Sequence, residues 1–125
     1  MSRASLSTRR KGIAGEQRAA SCLSERGWTV LERNFRTPTG EIDIIAEKGD
    51  EVAFVEVKSW AALPASELEH SIDRQKQTRI ARAARVYLSR RPGLSERRLR
   101  FDVLFIGRDP QDIRIIENAF DGGID

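Results

Sequence analysis

GEIDIIAEKGDEVAFVEVK, residues 40–58, has the pattern of two β-strands joined by a tight turn. Apolar and β-branched residues fill most of both halves, as expected for strands that lie inside a fold. Gly49 followed by Asp50 is a dipeptide typical of a two-residue hairpin turn. This stretch therefore predicts an antiparallel β-hairpin at the centre of the domain.

The register of that hairpin follows from the turn. A two-residue turn pairs Lys48 with Glu51, and each later pair moves one residue outward on both strands. Asp43 is then opposite Glu56. Like charges that face each other across a strand pair are destabilising unless something compensates them, and a cation is the obvious compensator.

Strand alternation divides the hairpin side chains between two faces. One face is wholly apolar, and it consists of Ile42, Ile44, Ala46, Ala53, Val55 and Val57. The other face is apolar only near the turn and then carries Glu41, Asp43, Glu56 and Lys58, with Glu41 opposite Lys58. Strands with apolar residues on both sides are covered on both faces, so these charges are expected at the edge of a core.

The rest of the chain supplies two helices and three more strands. Helices are predicted at 12–26, with Gly27 as its stop, and from a cap at Ser66 or Ser71 to about Ser89; strands are predicted at 28–35, 98–107 and 112–118. The order α-β-β-β-α-β-β predicts an α/β domain, a mixed sheet flanked by helices. We expect one domain at 12–120, a disordered basic leader at 1–11 and a tail at 121–125.

Length and composition exclude several classes of protein. A chain of 125 residues suits a single core. No stretch approaches the roughly 18 consecutive apolar residues of a membrane span, and the first residues lack the apolar segment of a signal peptide, so we expect a cytoplasmic protein with no membrane partner. Cys22 is the only cysteine, which excludes an intrachain disulfide and a cysteine-rich zinc site.

Basic residues slightly outnumber acidic ones. The net charge of +3 permits a polyanionic partner without requiring one. Basic residues collect in the leader and in the segment 90–100, where Arg97, Arg98 and Arg100 are the candidate nucleic-acid contacts. Ordinary solvated surface is the alternative for both groups.

Both helices aim a charged residue at the core. Glu16 shares a helical stripe with Ala19, Ala20 and Leu23, and Lys76 shares one with Ile72, Ile80, Ala83 and Tyr87. Charged side chains are seldom buried unless they are paired or bound to a metal. These inward charges therefore need an explanation together with those of the hairpin.

Two explanations are open for this set of charges. In the first, Lys58 and Lys76 neutralise Asp43, Glu56 and Glu16 in a buried salt-bridge network, although such networks are a poor source of stability. In the second, the three carboxylates hold Mg²⁺ or Mn²⁺, the hard cations that oxygen ligands suit. A bound cation would favour phosphodiester hydrolysis, with Lys58 orienting the nucleophile and Lys76 in support.

The same residues carry a resemblance to known nucleases. Asp43, then Glu56-Val57-Lys58 on the next strand, with Glu16 on a preceding helix, resembles the PD-(D/E)XK pattern of restriction endonuclease-like and Holliday-junction-resolvase proteins. More narrowly, the chain is similar to the bacterial YraN family of predicted endonuclease-like proteins. The segments that carry this likeness are GEQRA, NFRTPTGEIDIIA, VEVK, the helix with Lys76, RFDV and NAF.

The resemblance implies a restriction endonuclease-like fold with Glu16, Asp43, Glu56 and Lys58 as the catalytic set. Trp60 departs from the pattern, because a basic residue is expected after VEVK. We expect a metal-dependent nuclease acting on DNA, including branched or damaged DNA. The alternative is a noncatalytic module that keeps the fold to bind nucleic acid or a protein partner. The sequence leaves a homodimer open.

A few other residues have simpler interpretations. His70 is expected on the surface, Trp28 is expected to pack, and Cys22 is expected to be a small helix residue without chemistry. Asp102 lies within an apolar strand, and we expect it to pair with an arginine such as Arg100 or Arg114.

Overall fold

A computed structural model describes residues 15–59, 72–109 and 111–123. The first helix, α1, occupies 15–25 of these residues. The later elements are β1 (Thr29–Thr37), β2 (Gly40–Lys48), β3 (Glu51–Ser59), α2 (Arg74–Arg90), β4 (Arg98–Ile106) and β5 (Ile113–Phe120). The order is α-β-β-β-α-β-β, so the prediction of element order and of an α/β class is confirmed.

The five strands form one mixed sheet in the order β1-β2-β3-β4-β5. Neighbouring strands are antiparallel except β3 and β4, which are parallel. A parallel pair needs a crossover connection, and α2 is part of the one between β3 and β4. The sheet is therefore mixed, as predicted.

Each face of the sheet carries its own helix and its own apolar cluster. On the α1 side, Ala19, Ala20 and Leu23 pack with sheet residues such as Ile44 and Val55. On the α2 side lies a second cluster, whose members include Phe35, Ile45, Phe54, Ile80, Ala83, Tyr87 and Phe105. The helical stripes inferred from the sequence are thus the buried faces of both helices.

The register of the central hairpin is as predicted from its turn. Lys48 pairs with Glu51, and the ladder continues to Ile44 and Val55. Gly49 has φ 58°, a left-handed conformation that glycine adopts without strain. The predicted pair of Glu41 with Lys58 does not form, because the ladder between β2 and β3 already ends at Ile44 and Val55.

On β2, the regular alternation of side chains between the two faces of the sheet is interrupted beside Asp43. Asn34 has φ 53°, and it lies between the pairs Arg33 with Ile44 and Phe35 with Ile42. Ile42 packs in the α2-side cluster, whereas Ile44 packs in the α1-side cluster. The prediction that Ile42 shares one apolar face of β2 with Ile44 is therefore wrong. The left-handed Asn34 of β1 interrupts the regular pleat beside Asp43.

The position of α2 is fixed at its start and along its length. Asp73 caps the helix by accepting a hydrogen bond from the Lys76 amide at 2.8 Å, so the predicted caps Ser66 and Ser71 are wrong. Where α2 crosses β2, the Arg79 carbonyl lies so close to Gly40 that a Cβ atom there would collide with the helix backbone. A glycine at 40 is what lets α2 approach the sheet.

Several predictions concern residues outside the described ranges, namely the leader at 1–11, Trp60, His70 and the last two residues. Among the residues that the structure describes, no helix has the length and apolar character that crossing a bilayer requires.

Candidate functional site

Asp43 and Glu56 meet where the ladder between β2 and β3 ends. The last ladder pair is Ile44 with Val55, so the two acids occupy the next position on each strand. The Val57 amide donates a hydrogen bond to Oδ2 of Asp43 at 2.8 Å. A side-chain carboxylate thus accepts this amide's hydrogen bond at the point where the strands part.

Lys76 of α2 reaches the same point. Its Nζ lies 2.6 Å from Oε1 of Glu56, whose side chain is 7% exposed. Burial alone would lower the pKa of Lys76, but its hydrogen bond to Glu56 and the nearby Asp43 charge together raise it. Lys76 therefore stays charged, and the inward orientation predicted for it is confirmed.

One lysine does not neutralise both carboxylates. The pKa of Asp43 is raised to about 7, first by burial and next by the Glu56 charge, while the hydrogen bond from the Val57 amide and the Lys76 charge act in the opposite direction. The two carboxyl groups are within hydrogen-bonding reach of each other. Additional positive charge at this point would favour the ionised form of Asp43.

Glu16 of α1 lies close enough to Asp43 for their charges to interact. Burial raises the pKa of Glu16, a hydrogen bond from the Asn34 side chain opposes that shift, and the Asp43 charge adds to it. Asn34 is the left-handed residue beside Asp43, so it links α1 to the interruption in the strands. Glu16 thus faces the site, as its helical stripe predicts.

Lys58 follows Glu56 by two residues on β3 and is half-buried. It is opposite Phe105 in the parallel ladder with β4.

Across 15–59, 72–109 and 111–123, no three His, Cys, Asp or Glu side chains converge closely enough to hold a metal ion by themselves. Asp43 and Glu56 are the close pair, and the role of Glu16 as a ligand, directly or through a water, stays a prediction.

The predicted nucleic-acid contacts lie at the other end of the sheet. In the ladder between β3 and β4, Arg98 is opposite Glu51 and Val103 is opposite Glu56. Arg98 therefore lies five residues, or about 16 Å, along β4 from the position beside Glu56. Arg98 is exposed. Arg97 instead binds Glu47 at 3.3 Å and the Gly49 carbonyl at 3.0 Å.

Arg100 is held inside the protein. Its side chain, 10% exposed, forms ion pairs with Glu51 at 2.7 Å, Asp102 at 2.8 Å and Glu117 at 3.3 Å. It also stacks over the Trp28 ring at 5.1 Å. The predicted pairing of Asp102 with an arginine is confirmed, and the same geometry argues against the phosphate contact predicted for Arg100.

Two features of the site are not evident from the sequence. Asn34 takes the left-handed conformation that aligns its side chain with Glu16, and Asn tolerates that conformation better than most residues. Asn34 lies in a segment whose sequence predicts a regular strand, so the sequence does not indicate its left-handed conformation. The Val57 amide is likewise a backbone group, which residue patterns cannot reveal.

The fold is that of a restriction endonuclease-like protein, with a mixed five-stranded sheet, flanking helices and the order α-β-β-β-α-β-β. The chain belongs to the uncharacterised protein family UPF0102, the YraN family, whose profile matches residues 15–106. That range contains every residue of the candidate site.

Relatives in this family match nearly the full length of the chain. A UPF0102 protein of Moorella thermoacetica is 40% identical over 119 residues, which is 92% of this chain and 98% of the relative. One from Desulfosudis oleivorans is 44% identical over 114 residues, covering 90% and 91% of the two chains. One from Persephonella marina is 40% identical over 111 residues, covering 89% and 93%.

Proposed function

We propose that this protein is a divalent-metal-dependent nuclease that hydrolyses phosphodiester bonds in DNA. The observation that carries the proposal is the buried meeting of Asp43 and Glu56 at the end of a strand ladder, with the Lys76 ammonium group in contact with Glu56. Titratable groups perturbed by burial and by like charge are concentrated at functional sites. The resemblance to PD-(D/E)XK nucleases supports the same conclusion.

The donor atoms at this site fit a hard cation. Asp43 and Glu56 offer carboxylate oxygens, with no described histidine or cysteine beside them, and Mg²⁺ is commonly held by one or two carboxylates together with waters and substrate phosphates. Mg²⁺ or Mn²⁺ would supply charge neutralisation at the scissile phosphate and a bound water of lowered pKa.

The protein groups have separate tasks in this proposal. The Val57 amide fixes the Asp43 carboxylate, and Lys76 fixes that of Glu56. Lys58, on the same strand as Glu56, orients the attacking water and stabilises negative charge on the phosphate oxygens. Glu16 adds negative charge next to Asp43 and would help to hold the cation, directly or through a water.

A cleavage screen tests the proposal. Wild-type protein is incubated with Mg²⁺ or Mn²⁺ and with single-stranded, duplex and branched DNA and RNA. We expect metal-dependent cleavage of DNA that is lost in Asp43→Asn, Glu56→Gln and Lys58→Met. The matched control is Asp50→Asn, the same chemical change in the exposed turn of the same hairpin, which should cleave normally. Absence of cleavage on every substrate, with the protein folded, would overturn the proposal.

One contact favours the noncatalytic alternative. Oε1 of Glu56 is engaged by Lys76 at 2.6 Å, so one oxygen of the pair is already committed to an ion pair. A module that only binds nucleic acid could keep this bridge as part of its core. It would bind DNA equally well with and without divalent metal, and Asp43→Asn would leave its affinity unchanged.

A further inference from the structure

The outer face of α2 is unusually rich in arginine. Four exposed arginines lie on it, namely Arg74, Arg79, Arg82 and Arg85. At 3.6 residues per turn they fall within an arc of about 140°, opposite the side that packs on the sheet. Within the described parts of the chain, none of the four forms an ion pair.

The helix α2 carries more net positive charge than the sequence as a whole. Six of the 22 Lys and Arg residues lie within Arg74–Arg90, and none of the 19 acidic residues does. The rest of the chain therefore carries 16 basic residues against 19 acidic ones, a net negative charge. The net charge of +3 for the full sequence does not reveal that α2 is positive while the rest of the chain is negative.

This distribution is unfavourable for the helix itself. Arg74 occupies the first turn, where the helix dipole disfavours positive charge, and the acid at this end is the capping residue Asp73, outside the turn itself. Arg82 and Arg85 are three residues apart, a spacing at which like charges repel. Departures from local preference are expected at functional surfaces.

We propose that the outer face of α2 binds the phosphate backbone of double-stranded DNA without regard to sequence. This inference rests on the proposed function and names the surface that holds its substrate. The four arginines extend over roughly 16 Å of a rigid helix, and their charges suit the phosphates of a nucleic-acid backbone. The face begins at the end of α2 that contacts the candidate site, because Arg74 precedes Lys76 by two residues.

The chemistry of this face favours a duplex over a single strand. Binding of single strands relies on exposed aromatic rings on which bases stack. Tyr87, the one aromatic residue of α2, is buried, and the exposed residues are Arg, Gln, Thr and Ser. Contacts from this face therefore reach phosphates alone.

The test compares two triple variants with the same loss of charge. One is Arg74→Gln, Arg82→Gln and Arg85→Gln on α2. The control is Arg26→Gln, Arg108→Gln and Arg114→Gln, three exposed arginines on other surfaces. Binding to a 30-base-pair duplex, a single strand of equal phosphate number and anionic vesicles is measured across salt concentrations in EDTA, so that cleavage does not contribute.

We expect wild-type protein to prefer the duplex. The α2 variant should lose roughly tenfold or more in affinity, and its slope of log affinity against log salt should flatten by about 2 to 3 units, close to 0.9 per lost phosphate contact. The control should change the slope by less than about 1 unit. Equal losses in both variants, or tighter binding to vesicles or single strands, would overturn the proposal.

Failure here is distinguishable from failure of the nuclease proposal. Binding in EDTA that depends on α2, without cleavage in metal, would retain this surface and reject the catalytic role. Cleavage by an α2 variant with unchanged duplex affinity would retain the catalytic role and reject this surface.

Discussion

At the scale of single residues, Asp43 combines burial with a like-charged neighbour. Its pKa, near 3.8 in an unfolded chain, rises to about 7 in the folded protein. The folded state thus favours the protonated form. The associated stability is fully present below about pH 4 and is lost as pH rises through about 7. A pKa difference of one between the two states corresponds to about 1.4 kcal/mol, an upper bound here because solvent screens part of the effect.

This sign gives a pH prediction. In EDTA, the melting temperature of wild-type protein should fall between about pH 4 and pH 8 by more than that of Asp43→Asn, which has no carboxyl group to ionise. Thermal melts across this range measure the difference. Asp50→Asn serves as the control and should follow wild type. Parallel curves for wild type and Asp43→Asn would contradict the raised pKa.

Lys76 offers a second prediction at this scale. Lys76→Met leaves Glu56 buried beside Asp43 without its cation. We expect destabilisation by about 1–3 kcal/mol, less than for a fully buried pair because the Lys76 side chain is 40% exposed. Urea unfolding measures it. Added Mn²⁺ should recover part of the loss, because a cation then replaces the ammonium group.

At the scale of elements, the contact between α2 and β2 depends on Gly40. Gly40→Ala places a Cβ against the Arg79 carbonyl, a backbone atom that cannot move aside alone. We expect a loss of about 2 kcal/mol or more, as in overpacked cores. Gly93→Ala, where a Cβ meets nothing within 4 Å, should change stability by less than about 0.5 kcal/mol. Similar denaturation midpoints for both variants would contradict this account of Gly40.

The Arg100 cluster joins the hairpin, β4 and β5. Asp102, 3% exposed, also accepts a hydrogen bond from the Asn118 amide at 3.1 Å. Arg100→Met leaves Asp102 as a buried, uncompensated charge, and we expect destabilisation by roughly 3–5 kcal/mol. Chemical denaturation of Arg100→Met beside the exposed control Arg98→Met checks this. A small loss in Arg100→Met would show that its three ion pairs contribute little.

The sequence predicts elements better than it predicts their irregularities. The alternation of apolar residues and the turn residues predict the register of the hairpin. The helical spacing of apolar residues predicts that Glu16 and Lys76 point inward. The switch of faces at Ile42 follows from the left-handed Asn34, which no periodicity signals. The pairing of Arg100 with Asp102 can be expected from the sequence, but its ion pairs with Glu51 of β3 and Glu117 of β5 depend on the tertiary structure.

At the scale of the whole molecule, charge is separated between two regions. Among the acids of the candidate site, Glu56 contacts Lys76 of α2 and Glu16 belongs to α1, whereas the outer face of α2 carries arginine without acid. In the proposed function, the arginine face holds the DNA backbone and the acids hold the metal that acts on it. The central claim is that Asp43 and Glu56 share a divalent cation.

Thermal melts of wild type and Asp43→Asn near neutral pH, each with and without Mn²⁺, test that claim most directly. Mn²⁺ at about 100 times its dissociation constant should stabilise wild type by about 2.7 kcal/mol and leave Asp43→Asn unchanged. Without metal, Asp43→Asn should be at least as stable as wild type, because repulsion with Glu56 is relieved. A wild type indifferent to Mn²⁺, together with an Asp43→Asn variant destabilised by roughly 3–5 kcal/mol, would contradict the account and establish the salt-bridge network in its place.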